Sequence, residues 1–182
     1  MNTLPEHSVT VVYESMFGNT RRIAEAIASG VRDTLRCSVV SIADVGTVDR
    51  STDILIIGAP THGHGMSRSE SRTEATRWAL NDRKNLTLEP RTEDGVREWL
   101  KTEPDWVRRH AAFDTRADMP RIFTGSAAAA IDRRLARCGS EAIGEPRSFL
   151  VDKESHLLPG QLDAARQWGA EIAARVGVRE LS

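Results

Sequence analysis

A short polar segment between a strand-like run and a helical pattern carries the residues best suited to chemistry. The run at 9–13 is rich in valine, and an amphipathic helical pattern begins directly after Thr20. Between them lie the hydroxyl of Ser15, the flexible backbone of Gly18 and the hydroxyl of Thr20. The first amides of a helix have no partners within the helix, and the helix dipole favours negative charge there. The segment 14–20, called loop one below, therefore predicts a site for a phosphate group.

The residues that loop one lacks narrow the kind of phosphate site. A P-loop requires a lysine before its serine or threonine, and a dinucleotide-binding turn requires three spaced glycines. Loop one contains a single glycine, Gly18, and neither lysine nor arginine occurs between Val9 and Thr20. We therefore expect a phosphate to be held there by neutral hydroxyls and amides.

Loop one resembles the phosphate loop of the flavodoxins, which is rich in serine and threonine and ends Gly-Asn-Thr. Met16 and Phe17 stand where flavodoxins usually carry threonines, and the order Ser-Met-aromatic-Gly is similar to that of flavodoxin-like quinone reductases. An ordinary strand-turn-helix connection with no ligand is the alternative. The resemblance implies that flavin mononucleotide (FMN) is bound by Ser15, Met16, Phe17, Gly18, Asn19 and Thr20.

The rest of the chain alternates strand-like and helical patterns, which is typical of a parallel sheet covered by helices on both faces. Strands are predicted over 9–13, 37–42, 53–59, 110–114 and 147–151. Helices are predicted from the apolar repeat at 23–35 and over 73–84, 92–102, 126–138 and 161–176, with a short helical turn or loop over 44–52. The length fits one domain over 1–182. The predicted fold class is α/β, a three-layer flavodoxin-like fold with a five-stranded parallel sheet of order 2-1-3-4-5.

Two further loops should meet loop one, because ligands of such sheets lie beyond the carboxyl ends of the strands, beside strands one and three. The loop after strand four resembles the flavodoxin loop at the pyrimidine end of the flavin, and it begins Asp114, Thr115 and Arg116. The resemblance also implies that the loop after strand three contacts the flavin ring and that a peptide at Gly63 or Gly65 turns towards the ring on reduction. That loop supplies Pro60, Thr61, His62, Gly63, His64 and Gly65.

Three titratable or charged side chains in these loops have more than one interpretation. His62 and His64 have a spacing that suits a metal, but their loop offers no third ligand. They can instead give a hydrogen bond or positive charge to a reduced flavin, or face solvent. Arg116 can bring positive charge to the flavin, or it can pair with Asp114 or Asp118 as a loop clamp.

Neither ring-side loop contains a tyrosine or tryptophan that could stack on the flavin. The place of the flavodoxin stacking tyrosine falls at or near Pro120, so the ring lacks aromatic cover unless Phe17 or Phe123 supplies it. The expected consequence is a less negative potential than that of low-potential flavodoxins, and room for a substrate to stack.

Charge and composition exclude several classes of partner. The formal net charge is −1, with 25 basic and 26 acidic residues, which offers no electrostatic attraction for nucleic acid or a membrane. Cys37 and Cys138 are expected to be buried small hydrophobes. Residues 1–8 lack the features of a signal peptide, so we expect a cytoplasmic protein. Residues 66–90 are polar and are expected to be a mobile flap, an inserted helix or a solvated surface segment.

Three functions remain from the sequence. The first is an FMN protein that mediates electron transfer between redox partner proteins. The second is an FMN-dependent oxidoreductase of the NAD(P)H:quinone type that acts on a small-molecule acceptor. The third is an interaction module of the same fold that binds no flavin. A receiver domain is excluded, because predicted strand three ends Gly58-Ala59-Pro60 where a phosphorylatable aspartate is needed.

Overall fold

In a computed structural model, the chain is described over residues 7–62, 65–79 and 95–178. The strands are β1 (Ser8–Tyr13), β2 (Arg36–Ser41), β3 (Ile54–His62), β4 (Gly65–Met66), β5 (Arg109–Ala117), β6 (Glu141–Ala142) and β7 (Arg147–Val151). The helices are α1 (Asn19–Val31), α2 (Ser69–Ala79), α3 (Val96–Leu100), α4 (Arg121–Thr124), α5 (Ala127–Arg137) and α6 (Gln161–Val178). A 3-10 helix spans Ile42–Thr47.

The parallel strands follow the order β2-β1-β3-β5-β7, which confirms the predicted order of the five main strands. The register places Val11 opposite Val39 of β2 and Ile56 of β3, and Ile56 opposite Ala111 of β5. Two short strands were not predicted. β4 pairs antiparallel with the end of β3, and β6 shares the outer side of β5 with β7. Strands of two residues carry too few side chains to leave a pattern in the sequence.

Helices cover both faces of the sheet, as predicted. On one face, Val11 and Ile56 belong to a buried apolar cluster with residues of α1 and α6. On the other, Val12 and Ile57 belong to a cluster with residues of α3 and α5. Successive strand residues thus point to opposite layers, and both layers are apolar, as expected for a central parallel sheet. Within the described ranges, none of the helices combines the length and the apolar character that spanning a membrane requires.

Several element boundaries differ from those predicted. The helix predicted at 73–84 begins earlier, at Ser69, and its predicted end lies outside the described residues. The helix predicted at 92–102 is described as Val96–Leu100, with extended Gly95 before it, and residues 92–94 are outside the described ranges. β5 continues to Ala117, so the expected start of the loop after it is still strand.

The two cysteines are half-buried rather than buried, because each stands where the chain meets solvent. Cys37 lies in the edge strand β2, and Cys138 follows the last turn of α5. Burial nevertheless raises the pKa of the Cys37 thiol to about 11, against the opposing effect of the Arg32 charge.

Candidate cofactor site

A pocket opens at the carboxyl ends of the parallel strands, where four connections meet. Three are those following β1, β3 and β5, as expected, and the fourth follows β7. The lining residues are Met16, Phe17, Asn19, Thr20, Pro60, Thr61, His62, Thr115, Arg116, Ala117, Val151, Asp152, Lys153 and Ser155. Of the other predicted site residues, Gly63 and His64 lie outside the described residues, and Ser15, Gly18, Gly65 and Asp114 do not line the pocket.

Loop one closes on itself and leaves the start of α1 uncapped. Gly18 adopts a left-handed backbone, with φ 85° and ψ −13°, at the N-cap position. Its amide donates to the Ser15 hydroxyl at 3.0 Å, so the Ser15 side chain stabilises the turn by a hydrogen bond inside loop one. No side chain at the N-cap accepts an amide of the first turn. Asn19 and Thr20, the first two residues of α1, line the pocket, so the positive end of the helix dipole lies at its wall.

Two hydrogen bonds fasten the start of α1 to other walls of the pocket. The hydroxyls of Thr20 and Thr115 are 2.8 Å apart, which joins loop one to the end of β5. Asn19 Nδ2 donates to the carbonyl oxygen of Ser155 at 2.5 Å, which joins α1 to the connection after β7. Three of the four walls are therefore held together at this point.

The start of α5, in contrast, is filled by side chains. Thr61 Oγ1 accepts from the Ala127 amide at 2.9 Å, and Asp114 Oδ2 accepts from the Ala128 amide at 3.0 Å. The Ser126 hydroxyl accepts from the third amide of this turn, that of Ala129, at 3.1 Å. The predicted site residue Asp114 thus serves the helix start, not the pocket lining.

Asp114 also orients the Thr61 side chain. The Thr61 hydroxyl donates to Asp114 Oδ2 at 3.0 Å, and the Ser126 hydroxyl donates to the same oxygen at 2.7 Å. Because Asp114 is fully buried, this bonding fixes the rotamers on both neighbours. Thr61 therefore turns its hydroxyl towards α5.

The connection after β3 folds back as an antiparallel pair. Thr61 pairs with Met66, and His62 pairs with Gly65. The metal, flavin and solvent interpretations of the His62–His64 pair, and the predicted peptide turn at Gly63, involve residues 63 and 64, which lie outside the described ranges. His62 itself is half-buried and lines the pocket.

Arg116 holds its loop together, as one of its two predicted roles requires, but it does so through backbone carbonyls and not through an aspartate. Its Nη1 donates to the carbonyl oxygens of Met119, at 2.6 Å, and Ala117, at 3.2 Å. Among the described residues it makes no ion pair with Asp114 or Asp118. Its Nε is buried and has no hydrogen-bond partner in the described part of the chain. The guanidinium therefore lines the pocket while it holds the turn after β5.

The fourth wall is the functional region that the sequence reasoning missed. Asp152 Oδ1 accepts from the amides of Glu154, at 2.9 Å, and His156, at 2.8 Å, and the His156 amide is the main reason that the pKa of Asp152 is lowered. Ser155 adopts a left-handed φ of 68°. Topology could have indicated this wall, because the connection after β7 follows a parallel strand and leaves the sheet at the same edge as the other three connections.

Aromatic side chains are sparse in the pocket lining. Phe17 is the aromatic residue among the lining residues. Phe123 lies in α4 and is 63% exposed, and its neighbours Met119 and Ile122 are 52% and 81% exposed. Within the described residues, the segment 119–123 therefore presents apolar side chains to solvent.

Comparison with known proteins agrees with this architecture. A sequence model of the flavodoxin family matches residues 11–99, which include loop one and the connection after β3. The chain has a flavodoxin-like fold and resembles the flavodoxin family. No curated protein sequence matches it.

Solved structures of flavodoxins superpose over nearly the whole flavodoxin-like chain. A flavodoxin from the domain Archaea has a TM-score of 0.59 at 18% identity, with 93% of this chain and 99% of that one covered. A WrbA-like flavodoxin from Agrobacterium tumefaciens has a TM-score of 0.54 at 18% identity, with coverage of 93% and 96%. The oxidised flavodoxin 2 of Bacillus cereus has a TM-score of 0.57 at 16% identity, with coverage of 92% and 99%. At these identities the likeness establishes the fold.

Proposed function

We propose that the chain binds FMN in the pocket at the carboxyl ends of its strands and takes part in electron transfer. The observation that carries the proposal is the contrast between two helix starts at this pocket. The first turn of α5 is filled by Thr61, Asp114 and Ser126, whereas α1 begins after Gly18 with no side-chain cap. An uncapped helix start at a pocket wall suits a phosphate.

The lining residues are suited to bind and orient the two ends of such a ligand. When bound, FMN would supply the ring that accepts and donates electrons. Thr20 and Thr115 share one hydrogen bond of 2.8 Å, which uses one hydroxyl proton and leaves the other available for the phosphate end. His62 and Arg116 lie in the walls that would flank the ring. Among the described residues, the lining carries the positive charges of Arg116 and Lys153 against the single carboxylate of Asp152, and this balance favours an anionic ligand.

Reconstitution with FMN tests the proposal. We expect the purified protein to bind FMN with quenching of flavin fluorescence and to show the visible spectrum of a flavoprotein. Riboflavin should bind about tenfold more weakly or worse, because it lacks the phosphate that would meet the α1 start. A colourless protein that takes up neither compound would overturn the proposal and favour a flavin-free interaction module.

A reductase of the NAD(P)H:quinone type is the second candidate function. It is favoured by the pocket lining, which contains Met16 and Phe17 at the places of the usual threonines and, among its described residues, has neither tyrosine nor tryptophan. A flavin ring without stacked cover leaves space for a nicotinamide or a small acceptor. Direct bleaching by NAD(P)H would favour this reductase, whereas accumulation of a one-electron-reduced form on photoreduction would favour a carrier that serves redox partner proteins.

A further inference from the structure

A buried cluster of charged and polar side chains surrounds the first residue of loop one and lies outside the pocket lining. Its centre is Glu14, which is 2% exposed. Ser67, which follows β4, is 0% exposed, and Arg72 of α2 is 5% exposed. Burial of a carboxylate is costly unless hydrogen bonds and opposite charge compensate for it. Neither the proposed ligand binding nor the fold alone accounts for a carboxylate at this position.

The Glu14 carboxylate accepts hydrogen bonds from two segments distant in sequence. The Ser67 hydroxyl donates to Oε1 in a short contact, and the Val96 amide donates to Oε2 at 2.9 Å. Arg72 Nη1 in turn donates to Ser67 Oγ at 3.0 Å. Because a guanidinium offers donors and no acceptor, the Ser67 proton is directed to Glu14. The relay from Arg72 through Ser67 therefore requires an acceptor at residue 14.

Burial is the main influence on Glu14 and raises the pKa of its carboxyl above the ordinary value. The hydrogen bonds from Ser67 and Val96 and the charge of Arg72 act in the opposite direction, whereas the nearby Glu98 charge adds to the increase. Arg72 Nη2 lies 3.1 Å from Glu98 Oε2 in an ion pair without hydrogen-bond geometry. Within the described part of the chain, the Arg72 charge thus acts on both Glu14 and Glu98.

The segment Met66–Ser67 is held from a third direction by Arg97 of α3. Arg97 Nη2 donates to the Met66 carbonyl oxygen at 2.6 Å, and its Nε donates to the Ser67 carbonyl oxygen at 2.8 Å. Gly95 leaves the space that this packing needs. A Cβ at Gly95 would lie 2.5 Å from Arg72 Nη1 and 3.1 Å from Glu14 Oε2.

We propose that Glu14 is a positioning residue that fastens loop one to Met66–Ser67, at the end of the β3–β4 pair, and so sets the affinity of the pocket for a phosphate-bearing flavin. The ligand part of this inference rests on the proposed function, but the link itself belongs to the ligand-free chain. Loop one would hold the phosphate end, and the β3–β4 pair carries Thr61 and His62 of the lining. A fixed spacing between them removes an ordering cost from binding.

The substitution Glu14→Gln tests the link with almost no change of shape. One orientation of the glutamine amide points an N–H at the Val96 N–H, and the other leaves the Ser67 proton without an acceptor. We expect FMN affinity to fall about tenfold, and riboflavin affinity to fall less, because loop one would contact the phosphate. Glu25→Gln is the matched control, because Glu25 is exposed on α1 and the chemical change is the same.

Hydrogen exchange of the ligand-free proteins gives a readout that does not depend on flavin. Amides of residues 15–20 and 65–67 should exchange faster in Glu14→Gln than in the wild type or Glu25→Gln. Gly95→Ala displaces Arg72 without a change of charge and should produce the same pattern. If Glu14→Gln does not fold, Ser67→Ala decides the question in the same two measurements.

The two proposals fail in different ways. A wild-type protein that binds no FMN would refute the proposed function, while the exchange data would still decide whether Glu14 holds loop one. Unchanged exchange in residues 15–20 of Glu14→Gln would overturn the positioning role. An equal loss of FMN and riboflavin affinity would do the same, because it would indicate a general loss of structure.

Discussion

The left-handed backbone of Gly18 allows a quantitative test of loop one. With φ 85° and ψ −13° at the start of α1, Gly18 occupies a region that costs an L-residue about 1–2 kcal/mol. Gly18→Ala also reduces the entropy of the unfolded chain, which returns about 0.4–1 kcal/mol. The expected net loss in free energy of unfolding is about 1 kcal/mol, or about 2–4 °C in Tm for a chain of this size.

Two other glycine-to-alanine changes are matched controls. Gly139 has a φ of +86° and open space around it, but it follows α5, about 16 Å along the helix from the end near the pocket. Gly46 has neither a left-handed φ nor a close neighbour. Since the unfolded-state effect is common to all three, Gly18→Ala should be about 1–2 kcal/mol less stable than Gly46→Ala in urea unfolding.

FMN titration then separates strain from function. Gly18→Ala should bind FMN up to about tenfold more weakly, because the strained turn can relax in the ligand-free chain and must be restored on binding. Gly139→Ala should lose similar stability with no loss of affinity. Stability equal to that of Gly46→Ala would refute the left-handed turn, and FMN affinity equal to that of Gly139→Ala would refute the role of loop one.

Two further predictions concern groups outside the pocket. His110 lies between Ser140 Oγ, 2.8 Å from Nδ1, and Asp132 Oδ1, 3.2 Å from Nε2, and burial lowers its pKa below the ordinary 6.5 despite the opposing effect of Asp132. As the pH falls, the unfolded chain therefore takes up the proton before the folded chain does. In urea unfolding between about pH 8 and pH 5, the free energy of unfolding of the wild type should decrease relative to that of His110→Gln once the pH is below about 6.5. A difference between the two proteins that does not change with pH would contradict this. Because the pKa of the Cys37 thiol is raised from 9.0 to about 11, iodoacetamide at about pH 8 should alkylate Cys37 roughly a hundredfold more slowly than an ordinary thiol. Mass spectrometry of the peptide that contains Cys37 follows the reaction, and modification at the ordinary rate would show that the pKa is not raised.

The strand order and the meeting of three loops could be predicted because they depend on local patterns. The apolar run at 54–57 and the four-residue apolar spacing from Ile23 each define an element from adjacent residues. Parallel strands with helical crossovers then allow few arrangements. The same rule placed the connections after β1, β3 and β5 at one edge of the sheet.

The roles of single side chains could not be predicted, because their partners are distant in sequence. Glu14 meets Ser67 and Val96, which are 53 and 82 residues away. For Arg116, the two nearby aspartates suggested an ion pair, but the turn after β5 brings backbone carbonyls within reach instead. Asp152 belongs to a connection that carries no recognised motif, so topology alone pointed to it.

The division of one sheet edge between β6 and β7 limits how this molecule can join others. On that side, two short strands cover separate parts of β5, so another chain would meet no long continuous row of free amides and carbonyls. On the opposite side, β2 runs unbroken from Arg36 to Ser41. Within the described residues, a strand added to the sheet would meet one continuous strand at β2 but two separate short strands at β6 and β7.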